Sequence, residues 1–210
     1  MAIASPVVDR APIGRLASVF PGIPTFGRTV VGRGGVRLRA VSVKDIGPAG
    51  IDVRALEEIA VPHVSDVDRY LVRPGDVLLS ARGTVLKVAI VPEALAGAVA
   101  TATLAVIRPV LERILPEVLA AYLRSPAGQA ELRARARSAT GQIALTARDI
   151  RAMKVPVPPM EDQRRIAALV RALGAYETAA GEALRARREI TAQFTARLMA
   201  AQQENAWPRR

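Results

Sequence analysis

Residues 139–173 read ATGQIALTARDIRAMKVPVPPMEDQRRIAALVRAL, and two kinds of structure meet inside them. Met153–Val157 (MKVPV) reads as an extended segment. Pro158 and Pro159 follow, and because each fixes φ and lacks a backbone N–H, no helix or central strand runs through them. Glu161 and Asp162 then fall in a first helical turn, where the macrodipole favours negative charge. From Ile166 onward apolar residues return every three or four positions. A globular body ends here and a helical arm begins.

From Glu161 to Gln203 the pattern predicts one helix of about 43 residues, roughly 65 Å long at the α-helical rise. Its apolar stripe is Ile166, Val170, Leu173, Tyr176, Ala180, Leu184, Ile190, Phe194 and Leu198. Steps of three and four alternate along it, as in a helix packed on another helix. Arg187 interrupts the stripe, and Gly174 and Gly181 are weak helix formers within it. A small β body alone does not cover so long a stripe. No second long helix reads from this chain, so the expected partner helix comes from another chain.

Upstream, the clearest β element is Tyr70–Ser80 (YLVRPGDVLLS): Pro74-Gly75-Asp76 makes a turn and Val77–Ser80 a strand. Ala81-Arg82-Gly83-Thr84 is a second tight turn, and Val85–Val91 is expected to pair back. Val36–Val41 alternates apolar and basic residues with period two, which sets Arg37 and Arg39 on the face opposite Val36, Leu38 and Ala40. Further strands are predicted at Val30-Val31, Ile51–Val53 and Ala98–Ile107, with a hairpin at Gly32–Gly35. Ile13–Phe20 fits a short helix or a strand, Phe20–Gly27 a loop, and residues 1–12 a loose start. Leu115–Arg137 reads as two short helices split at Ser125-Pro126, and Ile143–Leu145 as extended. The fold class is α+β: a mostly-β curved-sheet body with short helices, then one long C-terminal helix. The boundaries are 1–158 for the body, 159–203 for the helix and 204–210 for a tail.

Composition narrows the function. Thirty basic residues oppose nineteen acidic ones, and only three of the thirty are lysine. Residues 1–159 hold 21 basic and 13 acidic side chains, so the excess belongs to the body. Between Asp9 and Asp45 there are seven basic residues and no acidic one. Such a one-signed surface suits a polyanion such as double-stranded DNA. Few aromatics (three Phe, three Tyr, one Trp) disfavour a stacking platform for single strands. There is no cysteine, no long uncharged apolar run and no export signal at the N-terminus; a cytoplasmic protein without a membrane span is expected.

No catalytic constellation stands out. His63 is the only histidine and reads as a surface or strand residue. Asp66 and Asp68 lie in no calcium-loop pattern, and Ser80 lies in no Gly-x-Ser-x-Gly elbow. Glu57 and Glu58 are adjacent and do not converge on one atom. A non-catalytic chain holding no metal and no cofactor is expected. DNA reading needs Arg and Lys against phosphates and a few polar side chains against base edges. The candidates are Thr25, Arg28, Arg33, Arg37 and Lys44 in the basic N-terminal half, Arg82, Thr84 and Lys87 around the second turn, and Gln142 after Thr140-Gly141.

The order of these segments resembles a family. Val155-Pro-Val-Pro-Pro159 followed by Glu161, Gln163, Arg164, Arg165 and Ile166 looks like the end of a target recognition domain in type I restriction–modification specificity subunits, with Thr140, Gly141, Leu145, Asp149 and Ile150 fitting upstream. Pro21–Arg28 (PGIPTFGR), Leu38–Ile46, Leu71–Thr84 (LVRPGDVLLSARGT) and Pro116–Gln129 extend the likeness to about residues 13–200. The resemblance implies a specificity subunit that directs a partner adenine methyltransferase, itself using S-adenosylmethionine, to a bipartite DNA target. It leaves open whether a restriction or translocase subunit joins. The Asn/Asp-Pro-Pro-aromatic motif of such methyltransferases is absent; Val157–Met160 reads VPPM. The family carries two recognition domains and two conserved helices, whereas one of each is read here. That implies a half-size form dimerising through Ile166, Val170, Leu173, Tyr176, Leu184, Ile190, Phe194 and Leu198. The alternative is a helical adaptor that reads no DNA and pairs with a full-length specificity subunit.

Overall fold

The computed structural model describes residues 9–24, 36–54, 56–61, 67–139 and 142–205. Strand β1 (Arg10–Pro12) leads into a single helical turn, α1 (Ile13–Leu16), and then β2 (Ala17–Pro21). Next come β3 (Val36–Val41), β4 (Ile46–Gly47), β5 (Gly50–Ile51) and β6 (Glu57–Val61). They are followed by β7 (Val77–Ser80), β8 (Arg82–Gly83), β9 (Val88–Ile90), β10 (Val99–Ala100) and β11 (Leu104–Pro109). Helices α2 (Pro116–Arg124) and α3 (Pro126–Arg135) precede β12 (Arg137–Ala139), β13 (Gln142–Ala144), α4 (Ala147–Ala152), β14 (Lys154–Pro156) and the long α5 (Met160–Asn205). The fold is α+β, as expected. No helix among the described residues is long and apolar enough to cross a membrane.

The central sheet is antiparallel in the order β2-β11-β7-β9, and both its faces are buried. Along β7, Val77 and Leu79 enter one core cluster while Leu78 enters the other; Ala105 and Ile107 part from Leu104 and Val106 in the same way along β11. Two-sided burial is why Val77-Leu78-Leu79 is a continuous apolar run rather than an alternating one. The first cluster is closed by α1, α2, α4 and β14 through Ile13, Leu119, Leu123, Ile150 and Val155. The second is closed by Val41, Ile46, Val72 and Leu95. The turn before β7 is locked at Asp76, which is 2% exposed. Its carboxylate accepts from Arg108 Nε and Nη2, both at 2.8 Å, and from the Arg73 amide at 2.8 Å. Gly75 meets the turn's positive φ of 85° at no steric cost.

Several expected elements change. Ala98–Ile107 is two strands, because the chain turns at Thr101 (Leu104 N to Thr101 O, 2.9 Å) and switches sheets: β10 pairs with β3, β11 with β2 and β7. The loose start holds only in part, since Arg10–Pro12 pairs antiparallel with Lys154–Pro156. Ile13–Phe20 is both a helical turn and a strand, and the strand expected at Ile51–Val53 is only Gly50–Ile51. Three elements had no counterpart in the sequence reading, β12 among them. Helix α4 is opened by a capping box between Thr146 and Asp149, and β6 pairs along β3. Val30-Val31 and Gly32–Gly35 lie outside the described residues, as do His63 and Asp66.

The chain divides into two compact units, Met1–Arg171 and Ala172–Arg210. The first turns of α5 therefore belong to the body: Gln163 and Ala167 are buried, Ile166 packs on the first core cluster and Arg171 pairs with Glu117.

Candidate nucleic-acid interface

The loop from Ser80 to Lys87 joins β7 to β9 by way of β8, and its backbone is held from beneath. Ser80 is 1% exposed. Its hydroxyl donates to the Val85 carbonyl at 2.8 Å and accepts the Lys87 amide at 2.7 Å. The Ser80 amide donates to Lys87 O at 2.9 Å. Leu86 turns inward and Val85 outward. On the flank, β8 pairs with β13, Arg82 with Ala144 and Gly83 with Ile143, while Leu145 N donates to Ala81 O at 2.8 Å. Gly83 adopts φ 132°, which a side chain would resist. The result is a fixed loop with Arg82, Thr84 and Val85 exposed.

A pair of threonine hydroxyls lies against this loop. The Ala81 and Arg82 amides both donate to Thr103 O, at 2.9 and 3.3 Å, and the Thr101 and Thr103 hydroxyls are 2.9 Å apart. The Gly22–Pro24 stem arrives at the same place: Ile23 bridges Thr101 in parallel, Gly22 N donates to Leu104 O at 2.9 Å and Ile23 N to Ala100 O at 2.7 Å. Three segments singled out in the sequence therefore converge: the Pro21–Arg28 loop by its stem, the 81–84 turn, and β13 carrying Gln142. Thr101 and Thr103 were not among the candidates. Their neighbourhood becomes visible only once the chain is known to turn at Thr101.

The other predicted residues stand differently. Thr25, Arg28 and Arg33 lie outside the described residues. Arg37 is exposed on β3 and pairs with Glu58 at 3.6 Å, four residues before Val41, whose carbonyl accepts the Thr101 amide at 2.8 Å. Lys44 pairs with Glu57. Its hydrogen bond to the Glu57 carboxylate, with the charges of Glu57 and Asp45, raises the Lys44 ammonium above its ordinary range. Lys87 turns back into the body, its ammonium donating to Val43 O at 3.0 Å and Ile46 O at 2.7 Å. Among the described residues the Arg82 side chain makes no ion pair or hydrogen bond. The adjacent acids Glu57 and Glu58 thus partner two of the expected DNA-binding cations.

Among the described residues no group of three or more His, Cys, Asp or Glu is arranged to hold a metal. A pocket of about 110 Å³ is lined by Arg73, Gly75, Asp76, Arg108 and Leu111, and its acidic group is already satisfied by Arg108. Along α5, Leu173, Tyr176, Leu184, Ile190, Phe194 and Leu198 are exposed, and Leu169 and Met199 are exposed with them. Ile166 and Val170 are partly buried.

A family model for the type I restriction modification DNA specificity domain matches residues 55–186. Among solved structures, the HsdS subunit from Thermoanaerobacter tengcongensis is similar at 25% identity and a TM-score of 0.60, covering 97% of this chain and 50% of that one. A chain from work on complex assembly and conformational transition of the type I R-M system is similar at 24% identity and TM-score 0.62, covering 99% and 51%. The type I restriction-modification S subunit from M. genitalium shares the fold at 10% identity and TM-score 0.50, covering 84% and 41%. No curated protein sequence matches. The chain spans about half the length of the first two structures.

Proposed function

The chain belongs to the type I restriction modification DNA specificity domain family, and from that premise we propose that it is a non-catalytic, sequence-specific DNA-recognition subunit. It directs a partner adenine methyltransferase, which supplies S-adenosylmethionine chemistry, to a bipartite duplex target. Two copies associate through α5 and read inverted half-sites.

One observation supports the DNA-reading role above the rest. The Ser80–Lys87 loop is braced by a buried hydroxyl and holds an uncommitted Arg82 beside Thr84, Thr101 and Thr103. Arginine bidentate to guanine, with hydroxyls and small apolar groups nearby, is the chemistry of major-groove readout. Pre-set geometry lowers the ordering cost of such contacts. The remaining exposed cations of the body supply phosphate attraction without sequence information. Arg82, Thr84 and Gln142, with Thr25, Arg28 and Arg33, are the proposed reading set; Arg37 and Lys44 contribute through phosphates, and Lys87 positions the loop.

A selection from random duplex DNA at stated salt tests this. An enriched inverted repeat with a fixed gap is the expected outcome. No enrichment, with or without a copurifying methyltransferase, would reduce the basic surface to non-specific binding and favour the adaptor reading.

A further inference from the structure

The backbone of the turn from Thr101 to Leu104 is engaged from three directions. Thr101 N donates to Val41 O at 2.8 Å, Leu104 N to Thr101 O at 2.9 Å, and Thr103 O accepts the Ala81 and Arg82 amides. A Cβ on Gly22 would fall 2.1 Å from Thr101 O, so the stem of the Pro21–Arg28 loop packs directly on the turn. None of these bonds uses the turn's own side chains. Thr103 is exposed, and Thr101 and Ala102 are partly exposed. The two hydroxyls lie 2.9 Å apart, and among the described residues they make no other hydrogen bond. A hydroxyl pair facing water adds little to stability, because water replaces the bond when it is lost. What matters is the set of groups it leaves open. Whichever hydroxyl donates to the other, one O–H donor remains, with acceptor lone pairs and the methyl groups of Thr101, Ala102 and Thr103.

We propose that this Thr101–Ala102–Thr103 turn reads one A·T base pair in the major groove, next to the base pair read by Arg82. The inference rests on the DNA-reading role proposed above and adds to it a second reading element and the base pair it takes. Arg82 and Thr103 are backbone neighbours, with Arg82 N 3.3 Å from Thr103 O. Successive bases along a strand are about 3.4 Å apart, so side chains springing from bonded neighbours address adjacent pairs.

The donor count selects the base pair. Guanine presents two acceptors, O6 and N7, which call for two donors; a guanidinium has them and the hydroxyl pair has one. Cytosine presents a donor and no methyl. Thymine presents the O4 acceptor beside its C5 methyl, and adenine presents the N7 acceptor beside its N6 donor. One O–H donor, free lone pairs and three methyl groups match the A·T pair more fully than the G·C pair. Because the turn is fixed by backbone bonds alone, it holds this set in place without ordering the hydroxyls first.

The test uses the full-length chain and duplex selection under the conditions that yield the wild-type motif. The double variant Thr101→Val with Thr103→Val keeps the shape of the turn and removes both hydroxyls. It is expected to lose preference roughly fivefold or more at one A·T position adjacent to the position lost with Arg82→Ala, with binding to random duplex unchanged. Thr101→Ser with Thr103→Ser keeps the hydroxyls and should select the same bases. A second measurement leaves the protein untouched. Deoxyuridine in place of thymine at that position removes only the C5 methyl, and should weaken wild-type binding roughly threefold and the double-serine variant less. A wild-type motif that the double-valine variant reproduces, or relaxes only at a G·C pair or at a pair not adjacent to that of Arg82, overturns this inference while leaving DNA reading intact. A wild type that selects no motif removes both.

Discussion

The Gln163 side chain is bonded to the backbone at Leu115, 48 residues earlier: its Oε1 accepts the Leu115 amide at 2.9 Å. The same amide group donates through Nε2 to Arg113 O at 3.1 Å and to Pro158 O at 3.0 Å. One buried side chain thus satisfies backbone groups just before α2 and just before α5. Gln163→Ala leaves these groups unsatisfied and should destabilise the body by about 2–3 kcal/mol. Gln163→Glu should be no better, since a carboxylate donates to neither carbonyl. Urea titrations of both variants check this; a loss well under 1 kcal/mol would remove Gln163 as the latch.

Asp76 and Arg108 form the most buried ion pair among the described residues, with side-chain exposures of 2% and 26%. Removing the carboxylate leaves the guanidinium with only the Leu71 carbonyl at 2.9 Å and the Phe20 ring face, and orphans the Arg73 amide. Asp76→Ala should therefore cost about 3 kcal/mol, the low end for broken buried pairs because Arg108 keeps some solvent. A double-mutant cycle with Arg108→Met should show coupling above about 1 kcal/mol.

Ser80 reaches the proposed interface only through Val85 and Lys87. Ser80→Ala removes both brace bonds without removing a DNA-facing group. Specific affinity should fall roughly tenfold, while binding to random duplex at the same salt stays within about twofold. Equal loss on both DNAs would make Ser80 a purely structural residue.

Arg82 and Arg37 separate base reading from general attraction. Arg82→Ala should cost roughly 1–3 kcal/mol of specific binding. Arg37→Ala, already paired with Glu58, should weaken all duplexes alike and slightly. Titrations across a salt series distinguish the two.

Leu173→Glu combined with Leu184→Glu places acids in the exposed row of α5. The variant should be monomeric by sedimentation with the body's thermal transition unchanged. Retained self-association would place the contact elsewhere.

The start of α5 and the strand β7 were legible in the sequence because each rests on local chemistry: two prolines before acidic residues, and a continuous apolar run bounded by turns. Helix α4 was hidden because six residues carry too little periodicity, although its Thr146–Asp149 cap was readable. The extent of the body to Arg171 was hidden for another reason. Gln163 looks like a helix-surface residue until its partners 48 and 50 residues earlier are known. The same holds at the interface: the apolar-basic alternation of β3 announced Arg37 and Arg39, but only sheet register shows Glu57 and Glu58 facing β3. Lys87 reads as a surface cation and instead ties two carbonyls.

The most direct measurement is to select duplexes in parallel with wild type and with Arg82→Ala, at one stated salt, and compare the enriched motifs position by position. The predicted result is a gapped inverted repeat with wild type, and the same repeat with Arg82→Ala except for lost preference at one symmetry-related pair of positions. Identical motifs from both proteins, or none from wild type, would contradict a sequence-reading role for the Ser80–Lys87 loop.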